Sequence, residues 1–94
     1  MKTPHELSDS LMDLSEQYSR YSGEFAQKIK LQADYFNTFR DQHKSDNATQ
    51  KAFDATDDGV KMVVLKLKLK ALEKQMSAIR THLRLLENEA KNLY

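Results

Sequence analysis

Ninety-four residues, 31% of them charged and with a net charge of +1, describe one small domain with little sheltered interior for an active site. The lack of cysteine excludes disulfides and thiolate metal sites and fits a reducing compartment. Two Gly and one Pro argue against a β-rich or loop-rich fold, and without an 18-residue apolar run no segment spans a membrane.

The first element opens with Thr3-Pro4-His5-Glu6. This is a capping box with a Pro at the first helical position and a Glu at the third. Leu7, Leu11, Leu14, Tyr18, Tyr21 and Phe25 then recur in steps of four and three, the spacing that keeps side chains on one helix face. Lys28 falls where the next apolar residue is due. Ile29, Ala33 and Phe36 predict that the stripe resumes on a shifted register, with the supercoil locally unwound. Gly23, beside that slip, predicts a bend or a close helix approach. The helix is expected over about residues 4–42, roughly 60 Å at 1.5 Å per residue. Its acidic, amphipathic start is unlike a secretory signal.

Residues 43–49 form a polar connector, in which Ser45, Asp46 or Asn47 can cap the next helix. Residues 50–56 read as a short helix carrying Phe53. Thr56-Asp57-Asp58-Gly59 combines capping residues with a breaker. The last helix therefore either starts near Asp57 or runs on from Asp46 with Gly59 as a weak point; an interrupted start, with a long helix over about residues 58–92, is the favoured reading. Within it, Val64 to Lys70 alternates apolar and basic residues, a strand signal. Leu65 and Leu69 belong to a longer helical pattern, however, and residues 71–94 are strong helix formers without Gly or Pro.

That pattern is Met62, Leu65, Leu69, Leu72, Met76, Ile79, Leu83, Leu86, Ala90 and Leu93, in strictly alternating steps of three and four. It is a heptad seam, and it predicts the packing and oligomer interface. A second apolar stripe, Val60, Val64, Leu67, Ala71, Ala78 and Leu85, lies about 130° round the same helix. Two seams on a short chain predict an all-α fold: a long helical hairpin, or coiled coil, that self-associates as a helical bundle.

Between the two stripes lies a basic one. Lys66, Lys70, Lys74, Arg80, Arg84 and Lys91 span some 37 Å of helix and are the candidate nucleic-acid-binding residues. The competing reading is a solvated face whose lysine stems cover apolar surface. The charge balance frames the choice: residues 1–60 carry a net −4 and residues 61–94 a net +5. The basic part meets either the acidic part or an external polyanion. Tyr35 and Phe39 lie off the centre of the first stripe and are candidates for base stacking or a partner; Tyr18, Tyr21, Phe25 and Phe36 read as core.

Catalytic patterns are missing. His5, His43 and His82 form no HxxxH or HExxH pair, so no metal site is predicted. Asp54, Asp57, Asp58 and Gly59 lack the spaced ligands and terminal Glu of a calcium loop. There is no nucleophile triad and no phosphate-binding glycine loop. Neither a catalytic residue nor a cofactor is expected.

The order of parts resembles small helical proteins from the early regions of tailed phages, and more distantly the UvsY-type recombination mediators. The likeness rests on the YSRYSGEF stretch of a long first helix, the KSD connector, the DDGV turn and the segment Ser77-Ala78-Ile79-Arg80-Thr81. It covers about two-thirds of the chain in layout and a few residues in identity. This chain is shorter than those mediators, and the spacing before Ala78 departs from theirs. The resemblance implies a non-enzymatic homo-oligomer in the cytoplasm of a host bacterium. It also implies binding to single-stranded DNA, a recombinase or a single-strand-binding protein, with Arg80 as the basic residue that carries over. Two other roles fit a helical chain of this kind: a small phage-encoded inhibitor that blocks a host protein's surface, such as an anti-CRISPR, and a coiled-coil component of a virion.

Overall fold

A computed structural model describes residues 3–92. They form an all-α hairpin measuring 69 × 20 × 18 Å. Helix α1 spans Pro4–Phe39, a single 3-10 turn comes next at Arg40–Gln42, α2 is Asp46–Asp54 and α3 is Asp57–Asn92. The two 36-residue helices lie antiparallel. The short α2 packs across the corner where they are joined.

α1 begins as its capping box predicts: the Thr3 hydroxyl accepts the Glu6 backbone N–H at 3.2 Å, with Pro4 in the first turn. Its stripe then runs to the corner without the expected slip. Lys28 and Gln32 occupy the next seam positions, half-buried, and Tyr35 and Phe39 complete the alternation of three and four. Ile29 and Ala33 are exposed instead. The register survives because both polar seam residues find partners across the interface. Lys28 Nζ donates to Asp58 Oδ1 at 2.9 Å, and Gln32 Nε2 donates to Gln50 Oε1 at 2.7 Å. A polar group in a seam is tolerated once its hydrogen bonds are satisfied. Gly23 marks no close approach either, since a methyl group built there meets nothing within 4 Å.

The corner is the best-buried part of the molecule. Ser45 caps α2 by accepting the Ala48 N–H at 3.2 Å. Thr49 is fully buried, and its hydroxyl donates to the Ser45 carbonyl at 3.1 Å. Phe53, 2% exposed, meets the Tyr35 ring edge-on at 5.5 Å between centroids, and the Tyr35 and Phe39 rings lie 4.7 Å apart, tilted by 44°. Tyr35 and Phe39, expected as exposed stacking residues, are therefore corner packing: the unslipped register turns them inward.

The chain breaks between α2 and α3 at Ala55-Thr56. The Thr56 hydroxyl donates to the Phe53 carbonyl at 2.6 Å and accepts the Gly59 N–H at 3.1 Å, which makes it the cap of α3. Gly59 is no weak point. It is buried in a regular first turn, and a side chain there would collide with the Phe53 carbonyl oxygen and come within 2.7 Å of the Asp54 Cα. Only glycine lets the two helices meet this closely.

α3 resolves the strand-like stretch as helix. Leu65, Leu72 and Met76 are buried against α1, and Met62, Leu69, Ile79, Leu83 and Leu86 are half-buried. Ala90 is exposed, and Leu93 falls outside the described residues. Each large seam side chain contributes about 1.5–3 kcal/mol when fully buried. The seam is thus closed by the chain's own first helix. None of the described helices is long and apolar enough to cross a membrane.

Candidate nucleic-acid interface

The six basic residues singled out by sequence all lie on one long edge of α3, and Lys66, Lys70, Lys74, Arg80, Arg84 and Lys91 are all exposed. Among the described residues the ion pairs are His5–Asp9, Lys28–Asp58 and Arg40–Asp46. None involves this edge, so its cations are free to meet an external anion.

The neighbouring flank of α1 matters as much as the cations. Tyr18 Oη donates to Glu73 Oε1 at 2.8 Å, and Ser15 Oγ reaches Met76 Sδ at 3.5 Å. These contacts bring the Ser8, Ser15 and Ser22 row of α1 alongside the basic edge. At 100° per residue, none of the α1 carboxylates falls on that flank. Glu24 instead borders Val64 and Lys68 on the opposite side of the hairpin, and Asp13 borders Gln75 and Ala78 there. On α1, hydroxyls line the flank beside the basic edge while Asp13 and Glu24 lie on the other flank, and α2 brings Asp54 close to Lys66. The serine row escaped the sequence reading, although its seven-residue spacing beside the seam is a visible signal.

Two carboxylates interrupt the basic edge, Glu73 and Glu87. Glu73 is engaged: its hydrogen bond with the Tyr18 hydroxyl favours the protonated phenol and raises the Tyr18 pKa. The negative charge of Glu73 adds to that rise, and the Ser22 hydroxyl opposes it weakly. Two further cations are tied to an aromatic ring rather than to an anion. Lys68 Nζ and Arg20 Cζ lie 5.0 and 5.1 Å from the centroid of Tyr21, within cation–π range.

Among the described residues no Tyr or Phe side chain supplements the edge. Tyr18, Tyr21, Phe25, Tyr35, Phe36 and Phe39 are half-buried and Phe53 is buried, so among the described residues no exposed Tyr or Phe ring offers a platform for a base. Three or more His, Asp or Glu side chains never gather among the described residues in a way that could hold a metal ion. The edge offers point charges and hydroxyls at intervals along a rigid rod, which is chemistry for a phosphate backbone.

Comparison with protein-family models, with curated proteins and with solved structures finds no match to this chain.

Proposed function

We propose that this chain is a non-catalytic accessory of phage DNA metabolism that binds the phosphate backbone of single-stranded DNA along the α3 edge. The observation that carries the reading is the unpaired row of cations, from Lys66 to Lys91, next to a flank of α1 without carboxylates. The resemblance in sequence layout to recombination mediators points to the same class of role. A straight helix presenting cations over roughly 37 Å suits an extended strand. With every described Tyr and Phe ring buried or half-buried, affinity comes from counterion release rather than from stacking, and base identity matters little. A single hairpin makes a handful of phosphate contacts, so useful affinity calls for several copies acting on one strand.

The test is binding of a fluorescent 30-nucleotide oligo-dT to the full chain across a salt series. With four to six phosphates neutralised, log K falls with log salt at a slope of about −3 to −4. Replacing Lys66, Lys70, Arg80 and Arg84 with Glu abolishes binding and leaves the far-UV circular dichroism unchanged, because all four side chains are exposed. Binding that survives the four substitutions sinks the proposal.

A further inference from the structure

The outer face of α3 carries a second heptad seam that the hairpin leaves uncovered. Positions 60, 64, 67, 71, 74, 78, 81 and 85 alternate in steps of four and three. The apolar members stand in solvent: Val60 is 54% exposed, Leu67 61% and Leu85 56%. A strict seam of this width is the signature of a helix partner rather than of a lipid surface, which takes a broader apolar face with bulky Trp, Phe or Leu. No ring lies on it, and Ala71 and Ala78 would let another helix come close.

The seam is complementary to itself when two copies run antiparallel. Turned about a midpoint between Leu72 and Glu73, Val60 faces the partner's Leu85 and Val64 the partner's Thr81. Leu67 then faces the partner's Ala78, and Ala71 lies under the stem of the partner's Lys74. Toward the middle of the seam large residues meet small ones, and at its two ends Val60 and Leu85 pack apolar surface on apolar surface. In the parallel alternative Lys74 meets its own copy at the centre of the seam. We propose that the outer face of α3 docks a second copy of this chain, antiparallel, so that the basic edges of both copies lie on one face of the pair.

This arrangement rests on the phosphate-binding role of the edge for its purpose, and it couples assembly to that role. Flanks that carry the same residues meet in an antiparallel pair, which brings Lys70 and Lys74 of both copies within about 8 Å along the axis. Like charges at that distance repel until salt or a polyanion screens them. A strip roughly 37 Å long and 12 Å wide covers about 450 Å² per copy, at the low end of specific interfaces. The pair is therefore weak and reversible, and a DNA strand lying along the doubled basic face draws it together.

The experiment uses the full chain, in which cysteine is naturally absent. Sedimentation is measured at 50 and 300 mM NaCl, with and without a 30-nucleotide oligo-dT. The expected result is a monomer at low salt that shifts to dimer with added salt or with oligo-dT. Lys70→Gln with Lys74→Gln removes the repulsion and tightens the dimer at low salt by about tenfold. Leu67→Gln with Ala78→Gln, both exposed, keeps the hairpin and loses the dimer. Oxidation cross-links the Val60→Cys, Leu85→Cys double variant between copies, whereas Val60→Cys alone stays uncross-linked. Cross-linking by Val60→Cys alone overturns the antiparallel pair. So does a chain that stays monomeric under every condition, or one that stays monomeric yet binds a synthetic acidic heptad peptide through this seam. A dimer that forms with salt and ignores oligo-dT upholds the seam and overturns the phosphate-binding reading instead, so the two failures are distinguishable.

Discussion

The two ends of the hairpin are built on different principles. Along the shaft, α1 and α3 meet through repeating layers, Leu7 near one end and Leu65, Leu72 and Met76 farther along, and any layer resembles the next. At the corner no contact repeats. Phe53 and Thr49 there are the largest fully buried side chains among the described residues. Gly59 fits against the Phe53–Asp54 backbone, and Lys28 and Gln32 each meet one specific partner. A repeating seam can slide by a heptad at modest cost, because the pattern matches itself again. The corner removes that freedom. The shaft supplies most of the apolar burial, while the corner selects the register in which burial occurs.

The sharpest way to break this division is to empty the corner. Phe53→Ala is expected to cost about 3–5 kcal/mol, as for large-to-Ala changes in cores, which lowers Tm by roughly 15–30 °C for a domain of this size. Thermal unfolding monitored by circular dichroism measures it. A loss as small as that of a surface substitution would mean that the corner is decoration on a self-sufficient coiled coil.

The two glycines make the contrast with one chemical change. Gly59→Ala forces a methyl group into the Phe53 carbonyl, backbone against backbone, with no side chain able to give way. It is expected to cost about 3 kcal/mol. Gly23→Ala, in mid-shaft, adds a methyl group to open space and removes the entropic penalty of glycine in a helix. It is expected to stabilise by about 1 kcal/mol, raising Tm by roughly 4–8 °C. Opposite signs in parallel melts support the division. A destabilising Gly23→Ala would show that the shaft is as tightly specified as the corner.

The same division decides what could be read from sequence. Caps are local, so Thr3-Pro4 announced α1, while Ser45 was one of three candidate caps and α2 starts at Asp46, earlier than the expected 50. Periodicity is nearly local, so the α3 seam and its uncovered second stripe were legible residue by residue. The corner was not, because its logic lies in pairs far apart in the chain. Lys28 looked like a break in the α1 stripe, and only Asp58, thirty residues on, makes it a seam residue. Tyr35 and Phe39 looked peripheral for the same reason, since the slip inferred at Lys28 rotated them outward. Gly59 carried a breaker's signature, and its true role depends on where the Phe53 carbonyl ends up. Of the candidate interface, the cations were legible as a stripe. The carboxylate-free flank was not, because it is a property of two helices side by side.

The smallest expected effect tests whether the Lys28–Asp58 contact belongs to the corner lock or is an ordinary surface pair. The hydrogen bond from Lys28 holds the Asp58 carboxyl below the usual carboxylate range, with burial opposing and the charges of Lys28 and Lys61 reinforcing the shift. A carboxyl with a lowered folded-state pKa stabilises the fold above its unfolded value, about 3.9. That contribution disappears as pH falls through the lower folded-state value. Asp58→Asn should therefore melt below the natural chain at pH 6, and the difference should shrink steadily below pH 4 until the two converge. At pH 6 the difference should also persist in 0.5 M NaCl, because half-buried Lys28 sits in the seam and a short hydrogen bond is screened less than a solvent-separated pair. A difference that vanishes with salt at pH 6 would demote the contact to surface electrostatics and leave Gln32–Gln50 as the polar pin of the register. A difference that persists unchanged to pH 2 would mean that Asp58 acts through its shape in the first turn of α3 and not through its charge.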